Sequence, residues 1–268
     1  MPPFTPHISS MHPQTHAFAL DTDANPLLED WGSRFGVPAF DRIKPEHFRG
    51  AFARAFAAHA AEVAAIAGNA AASTFANTIA ALEASGEALT RTVNVFNLLA
   101  GAHNNDEILA IEREIAPVKA KHWDSIHMDV ALFGRIERLH RTRDQLALSV
   151  EERCVLERYY LKFVRAGAAL NAAAKARLAA INARLATLGT SFSQNVLADE
   201  QRYTLLLDGE EDLAGLPDFV RAAARATAEE RGFPGKHVIT TSRSVHSVEI
   251  VTVVSAKSTA FSTRLARP

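Results

Sequence analysis

The chain has 268 residues, 48% of them hydrophobic, enough to bury a core as one large domain or two small ones. Lys+Arg 29 against Asp+Glu 30 leaves a net charge of −1, so the charge balance gives no reason to expect nucleic acid or an anionic membrane as a partner. The single cysteine, Cys154, excludes an intramolecular disulfide and argues against a cysteine-based metal site. Its helical neighbours Val155 and Leu156 predict a small buried thiol rather than a reactive nucleophile.

No stretch approaches the ~20 apolar residues of a membrane-spanning helix. Met1 to Ala24 has no basic segment followed by an apolar core, so no signal peptide is predicted, and a cytoplasmic protein is the simplest expectation. Residues 1–24 read as a disordered leader. Its His7, His12 and His16 are expected to be solvated rather than bound to metal.

Ordered structure is expected from Asn25-Pro26-Leu27-Leu28, followed by a loop with Gly36 and Pro38. Pro45 suits the first turn of a helix whose Phe48, Phe52, Phe56, His59, Val63 and Ile66 recur on one face; Gly68-Asn69 stops it. A helix from Thr74 carries Phe75, Ile79 and Leu82 and ends at Ser85-Gly86. Further helices carry Leu89, Val93, Phe96 and Leu99, then Ile108, Ile111, Ile115 and Val118. In the second of these Pro117 is expected to end, kink or restart the pattern. Another helix over 130–140 carries Leu132, Phe133, Ile136 and Leu139.

Ser149 with Glu152 reads as a capping box opening a helix with Leu156, Tyr159, Tyr160 and Phe163. After Gly167 the longest pattern follows, from Leu170 through Leu178, Ile181, Leu185, Leu188 and Phe192 to Val196, with Gly189 a weak point. It is expected to pair antiparallel with the preceding helix. Tyr203–Leu207 and His237–Thr240 are candidate strands, paired across a short helix opened by Pro217. The fold class is therefore mainly α: a multi-helix array over 25–241 with a long antiparallel helix pair and a small late β-element. The Ser-, Thr- and Val-rich tail, 242–268, changes character. It is either a β-hairpin edge or a segment not native to the domain, as after a truncated or shifted reading frame, and the sharp change in composition favours the second.

The search for chemistry returns little. His-Glu-x-x-His, which sets two imidazoles on one helical face around zinc with a carboxylate as base, is absent. Glu46-His47 has no second histidine four residues on, so His47 is expected to be a helix-start residue. His122 and His127, five apart with Asp124 between them, match a shared metal poorly. His103 with Asn104, Asn105 and Asp106 reads as a helix start. The acidic Asp199-Glu200 and Glu210-Glu211-Asp212 are expected to be solvated. There is no nucleophile elbow, phosphate loop or dinucleotide fingerprint. No catalytic, cofactor-binding or metal residue is assigned.

The string Ile43-Lys44-Pro45-Glu46-His47-Phe48, followed by Ala51-Phe52, resembles the opening signature of the M3 family of zinc peptidases. Further strings fit in order: Phe75-Ala76-Asn77-Thr78-Ile79-Ala80-Ala81-Leu82-Glu83, Ala102-His103-Asn104-Asn105, Tyr160 to Ala168, and Leu188 to Val196. Ser85-Gly86-Glu87-Ala88-Leu89-Thr90-Arg91 is most similar to the peptidyl-dipeptidase (dipeptidyl carboxypeptidase) branch, with the oligopeptidase A branch next. The resemblance covers residues 25–240, the N-terminal part of a longer family chain. It implies a mostly helical enzyme whose two halves flank a channel for short peptides. Zinc on a His-Glu-x-x-His helix activates water there, and the peptidyl-dipeptidase branch releases C-terminal dipeptides. None of those catalytic positions has a counterpart here, so zinc belongs to the full-length family and not to this chain. The expectation is a channel-wall segment, inactive alone and apt to self-associate through an exposed apolar face. The alternative is a non-catalytic helical scaffold or adaptor.

Overall fold

The computed structural model describes residues 25–32 and 35–240. The expected leader with His7, His12 and His16, and the tail over 242–268, lie outside the described residues. Two units divide the chain, one ending at Thr190 and one beginning at Ser191. No helix among the described residues is long and apolar enough to cross a membrane.

In the first unit, Asn25 ties the start of the described chain to helix α1 (His47–Ala67). Its Nδ2 donates to the His47 carbonyl at 2.8 Å, and its Oδ1 accepts the Leu27 N–H at 3.0 Å. Helix α1 buries Phe48, Phe52, Phe56, His59 and Val63, the face that the three- and four-residue spacing predicts. Phe96 of α3 (Glu87–Ala102) meets Phe48 and Phe52 edge-on, with centroids 5.1 and 5.4 Å away. Ile108, Ile111 and Ile115 of α4 (Asp106–His127) complete this core. Full burial of each such side chain stabilises by roughly 1.5–3 kcal/mol. At its rim Arg49 of α1 forks onto Glu114 of α4, donating at 2.7 and 2.9 Å. Pro117 does not end α4, which runs on to His127. One lost helical hydrogen bond is offset by the burial of Ile108, Ile111 and Ile115 before it and Ile126 after it.

A second core forms where α5 (Val130–Thr142) meets α6 (Val150–Arg165), joining Leu132, Phe133, Ile136 and Leu139 to Leu156 and Phe163. The capping box forms as predicted: the Glu152 N–H donates to Ser149 Oγ at 3.1 Å and the Ser149 N–H to Glu152 Oε2 at 2.8 Å. Cys154 is exposed, not buried. It sits two positions before Leu156, about 200° around the helix, and therefore faces away from the core. Helix α7 (Ala172–Arg202) runs unbroken through Gly189 and contains no fully buried residue. The buried Leu156 and Phe163 of α6 pack on α5 rather than on α7, because α7 presents no buried side chain to receive them.

The segment after Thr74 begins with π-helical bonding over Phe75–Ala80 and continues as α2 (Ala81–Ala84). A buried arginine ties this segment to α5. Arg135 of α5 donates to the Asn69 and Ala71 carbonyls at 2.6 and 3.1 Å and to Asn77 Oδ1 at 2.8 Å. The same oxygen accepts the Thr74 N–H and the Thr78 hydroxyl, both at 2.9 Å. Asn77 is thus a three-donor acceptor fixing the loop, the wide helical turn and α5 together.

In the second unit β1 (Leu205–Leu207) pairs antiparallel with β2 (His237–Ile239) in the register Leu205 to Ile239 and Leu207 to His237. Between them lie α8 (Glu210–Leu213) and α9 (Asp218–Glu230), and Leu207, Leu213, Leu216, Val220 and Ala224 form the core with Ile239. The strands pair across the helix as expected, but both are shorter: β1 begins at Leu205 rather than Tyr203, and β2 ends at Ile239 rather than Thr240. Arg231 Nη1 donates to the Tyr203 carbonyl and Thr204 Oγ1, both at 2.8 Å, diverting those residues from the ladder.

Arg135→Leu and Asn77→Ala are each expected to lower the unfolding free energy by about 2–3 kcal/mol through stranded buried partners. The double variant should fall well short of the sum, because both changes remove the same bond. Urea denaturation of the three variants checks this.

Candidate functional site

Most histidines singled out in the sequence have structural roles. His47 is the first residue of α1, and its Nδ1 accepts the Lys44 N–H at 3.0 Å. His103 closes α3, while Asn105 caps α4 by accepting the Ile108 N–H at 2.9 Å. His122, Asp124 and His127 diverge. Asp124 Oδ1 accepts Asn182 Nδ2 of α7 at 2.7 Å, and His127 stacks on Trp123 with centroids 5.7 Å apart. Among the described residues no group of three or more His, Cys, Asp or Glu is placed to hold a metal ion.

His122 meets a partner 63 positions away: its Nε2 lies 2.9 Å from Nδ1 of His59. Both rings are buried. His59 Nε2 in turn lies 3.4 Å from Ser85 Oγ, and the Ser85 hydroxyl donates to the Leu82 carbonyl at 2.8 Å. With its proton committed, Ser85 can only accept from His59. By elimination His59 carries its proton on Nε2, and its Nδ1 accepts the Nε2 proton of His122. The His59 ring is then neutral. Burial lowers both pKa values, opposed at His59 by the Glu62 charge and reinforced at His122 by His59.

This Ser–His–His line resembles a nucleophile relay but lacks its working parts. The Ser85 proton points to a carbonyl. The adjacent backbone donor, the Gly86 N–H, is capped by Glu62 Oε2 at 2.6 Å and is closed to an oxyanion. The line instead locks the turn between α2 and α3 against α1 and α4. Gly86 is needed there: it has φ +75°, and a Cβ would lie 3.0 Å from the His59 ring.

Beside this turn a cleft of about 330 Å³ opens between α1, α3, α4 and α6. Leu89, Val93, Trp123 and Phe163 form its apolar wall; Thr90, Asn94, Lys119, Tyr159 and Lys162 supply polar atoms. Burial, then the nearby Lys162 charge, pushes His127 down to about 4, against the pull of its hydrogen bond to the Trp123 backbone. Burial, then a hydrogen bond to Glu83, raises the Tyr159 phenol. Sequence reasoning missed the His59–His122 pair because the two lie on different helices. The available signal was His59 itself, a polar residue in phase with Phe52, Phe56 and Val63, which needs a buried partner.

No family model matches the chain. Comparison with individual proteins does reach a class: the chain is homologous to bacterial peptidases. Dipeptidyl carboxypeptidase of Escherichia coli is 36% identical over 218 residues, 81% of this chain and 32% of that protein. Its counterpart in Salmonella typhimurium is 36% identical over 207 residues, 77% of this chain and 30% of that protein. Oligopeptidase A of Salmonella typhimurium is 27% identical over 207 residues, again 77% and 30%. The chain therefore spans about a third of the length of the curated relatives it matches. The two branches are those the ordered strings resemble, with the higher identity in the dipeptidyl carboxypeptidases.

Two predictions come from the cleft. His127, His59 and His122 all have folded-state pKa values below the unfolded value, so the unfolded chain binds their protons more readily. The stability they allow is full above about pH 6.5 and is lost as pH falls toward 4. The urea midpoint should drop between pH 7 and pH 5, less steeply in His127→Gln. Gly86→Ala should cost about 1–3 kcal/mol in the same assay, from backbone strain and the displaced imidazole.

Proposed function

We propose that residues 25–241 are the N-terminal helical region of a zinc-dependent oligopeptidase of the dipeptidyl carboxypeptidase kind. In this reading the segment walls a channel for short peptides and does not hydrolyse them by itself. The carrying observation is 36% identity over 81% of a chain that contains no His-Glu-x-x-His. Zinc and the activating carboxylate would be supplied by sequence outside this segment. The closed Ser85 relay supports the same reading, since it offers no alternative nucleophile.

The purified 268-residue chain is expected to leave short peptides uncut, with or without added zinc. Chelator-sensitive release of dipeptides, followed by mass spectrometry, would falsify the inactivity. A chain that neither cuts nor binds peptides would favour the scaffold reading. Self-association is part of the proposal, supported by Leu185 and Leu188 of α7, 60% and 52% exposed. Light scattering should show mass rising with concentration, less so in Leu185→Glu; a strict monomer at all concentrations would remove this part.

A further inference from the structure

The electrostatics of the cleft are one-sided. Lys119 of α4 is half-buried and has no hydrogen-bond or ion-pair partner among the described residues. Lys162 of α6, itself exposed, reaches in from the other side, its Nζ 5.5 Å from the centre of the Trp123 ring, likewise without an acidic partner among the described residues, so the desolvation falls on Lys119. No aspartate or glutamate lines the space. The two nearby carboxylates are engaged elsewhere: Glu62 holds the Gly86 N–H, and Glu83 holds the Tyr159 hydroxyl. Thr90 and Asn94, one turn apart on α3, add neutral donors. A partly desolvated ammonium without a counter-charge is costly, and an arriving anion relieves that cost. The remaining wall, Leu89, Val93 and the indole of Trp123, is apolar.

Building on the proposed reading of the chain as a peptidase segment, we propose that this cleft binds the C-terminal end of a short peptide. Lys119 and Lys162 take the free carboxylate, and the last, apolar side chain lies against Trp123, Leu89 and Val93. A space of about 330 Å³ is at the small end of the ~300–1,000 Å³ of ligand pockets, so it admits the final residue or two and not a long segment. The apolar wall and the absence of any arginine fork favour a peptide carboxylate over a bare phosphate.

The test uses the full chain in a Trp31→Phe background, which leaves Trp123 as the single indole of the two in the sequence. Its fluorescence is followed on titration with an Ala-Ala-Phe tripeptide, with the same tripeptide amidated at its C-terminus, and with inorganic phosphate. The free acid should give a saturable change. The amide should bind about tenfold or more weakly, as expected for loss of a charge-assisted contact. Lys119→Gln and Lys162→Gln should each weaken the acid by a similar factor, while Lys119→Arg should keep most of the affinity and thereby separate charge from folding. Equal binding of acid and amide, no saturable change at millimolar peptide, or phosphate displacing the tripeptide as effectively as the free acid would each overturn the proposal. Should Trp31→Phe fail to fold, calorimetry on the unaltered chain reads the same difference between acid and amide. Cleavage of the peptide would instead count against the inactivity of the segment, a separate result from loss of acid–amide discrimination.

Discussion

Phe48, Phe52 and Phe56 run along one face of α1 and close on Phe96 of α3, and the same face continues into His59 and Val63. Val63 already belongs to the second core, with Ile79, Leu132 and Phe163. Helix α1 therefore passes through both cores of the first unit, and His59 lies at their junction. An imidazole in an apolar stripe must be satisfied. His122 and Ser85 satisfy it, and in doing so they tie α4 and the α2–α3 turn to α1 beside the cleft.

Much of this was legible in the sequence. The apolar face of α1, the Ser149–Glu152 box, the Asn105 cap and the two late strands are local patterns, and each appears where the residues place it. What escaped is non-local or depends on packing. No local spacing points from His122 to its partner, which lies 63 positions away on α1. No local pattern marks Arg135, yet it is buried on three acceptors, the Asn69 and Ala71 carbonyls and Asn77 Oδ1, all more than fifty residues earlier. The π-helical start at Phe75 lies in the segment that this contact ties to α5. Pro117 shows the reverse case, in which tertiary burial overrides a strong local signal.

In the proposed reading the site separates two tasks that an oligopeptidase must combine. Breaking a peptide bond needs an activated water or nucleophile, and Ser85 and Gly86 are both committed to structural bonds. Holding a peptide end needs only charge, donors and an apolar surface, and in the proposed reading Lys119, Lys162, Thr90 and Trp123 provide these on three helices. Homology to peptidases about two and a half times its length fits this division of labour.

The central claim is that this segment engages a peptide end without cutting it. Proton–nitrogen correlation spectra of the chain with a short free-acid peptide, recorded over hours in the presence of zinc, test it most directly. The account predicts that the Trp123 indole and the Thr90 and Gly86 amides shift while the peptide signals stay intact. Appearance of cleavage products, or shifts confined to residues outside the cleft, would contradict it.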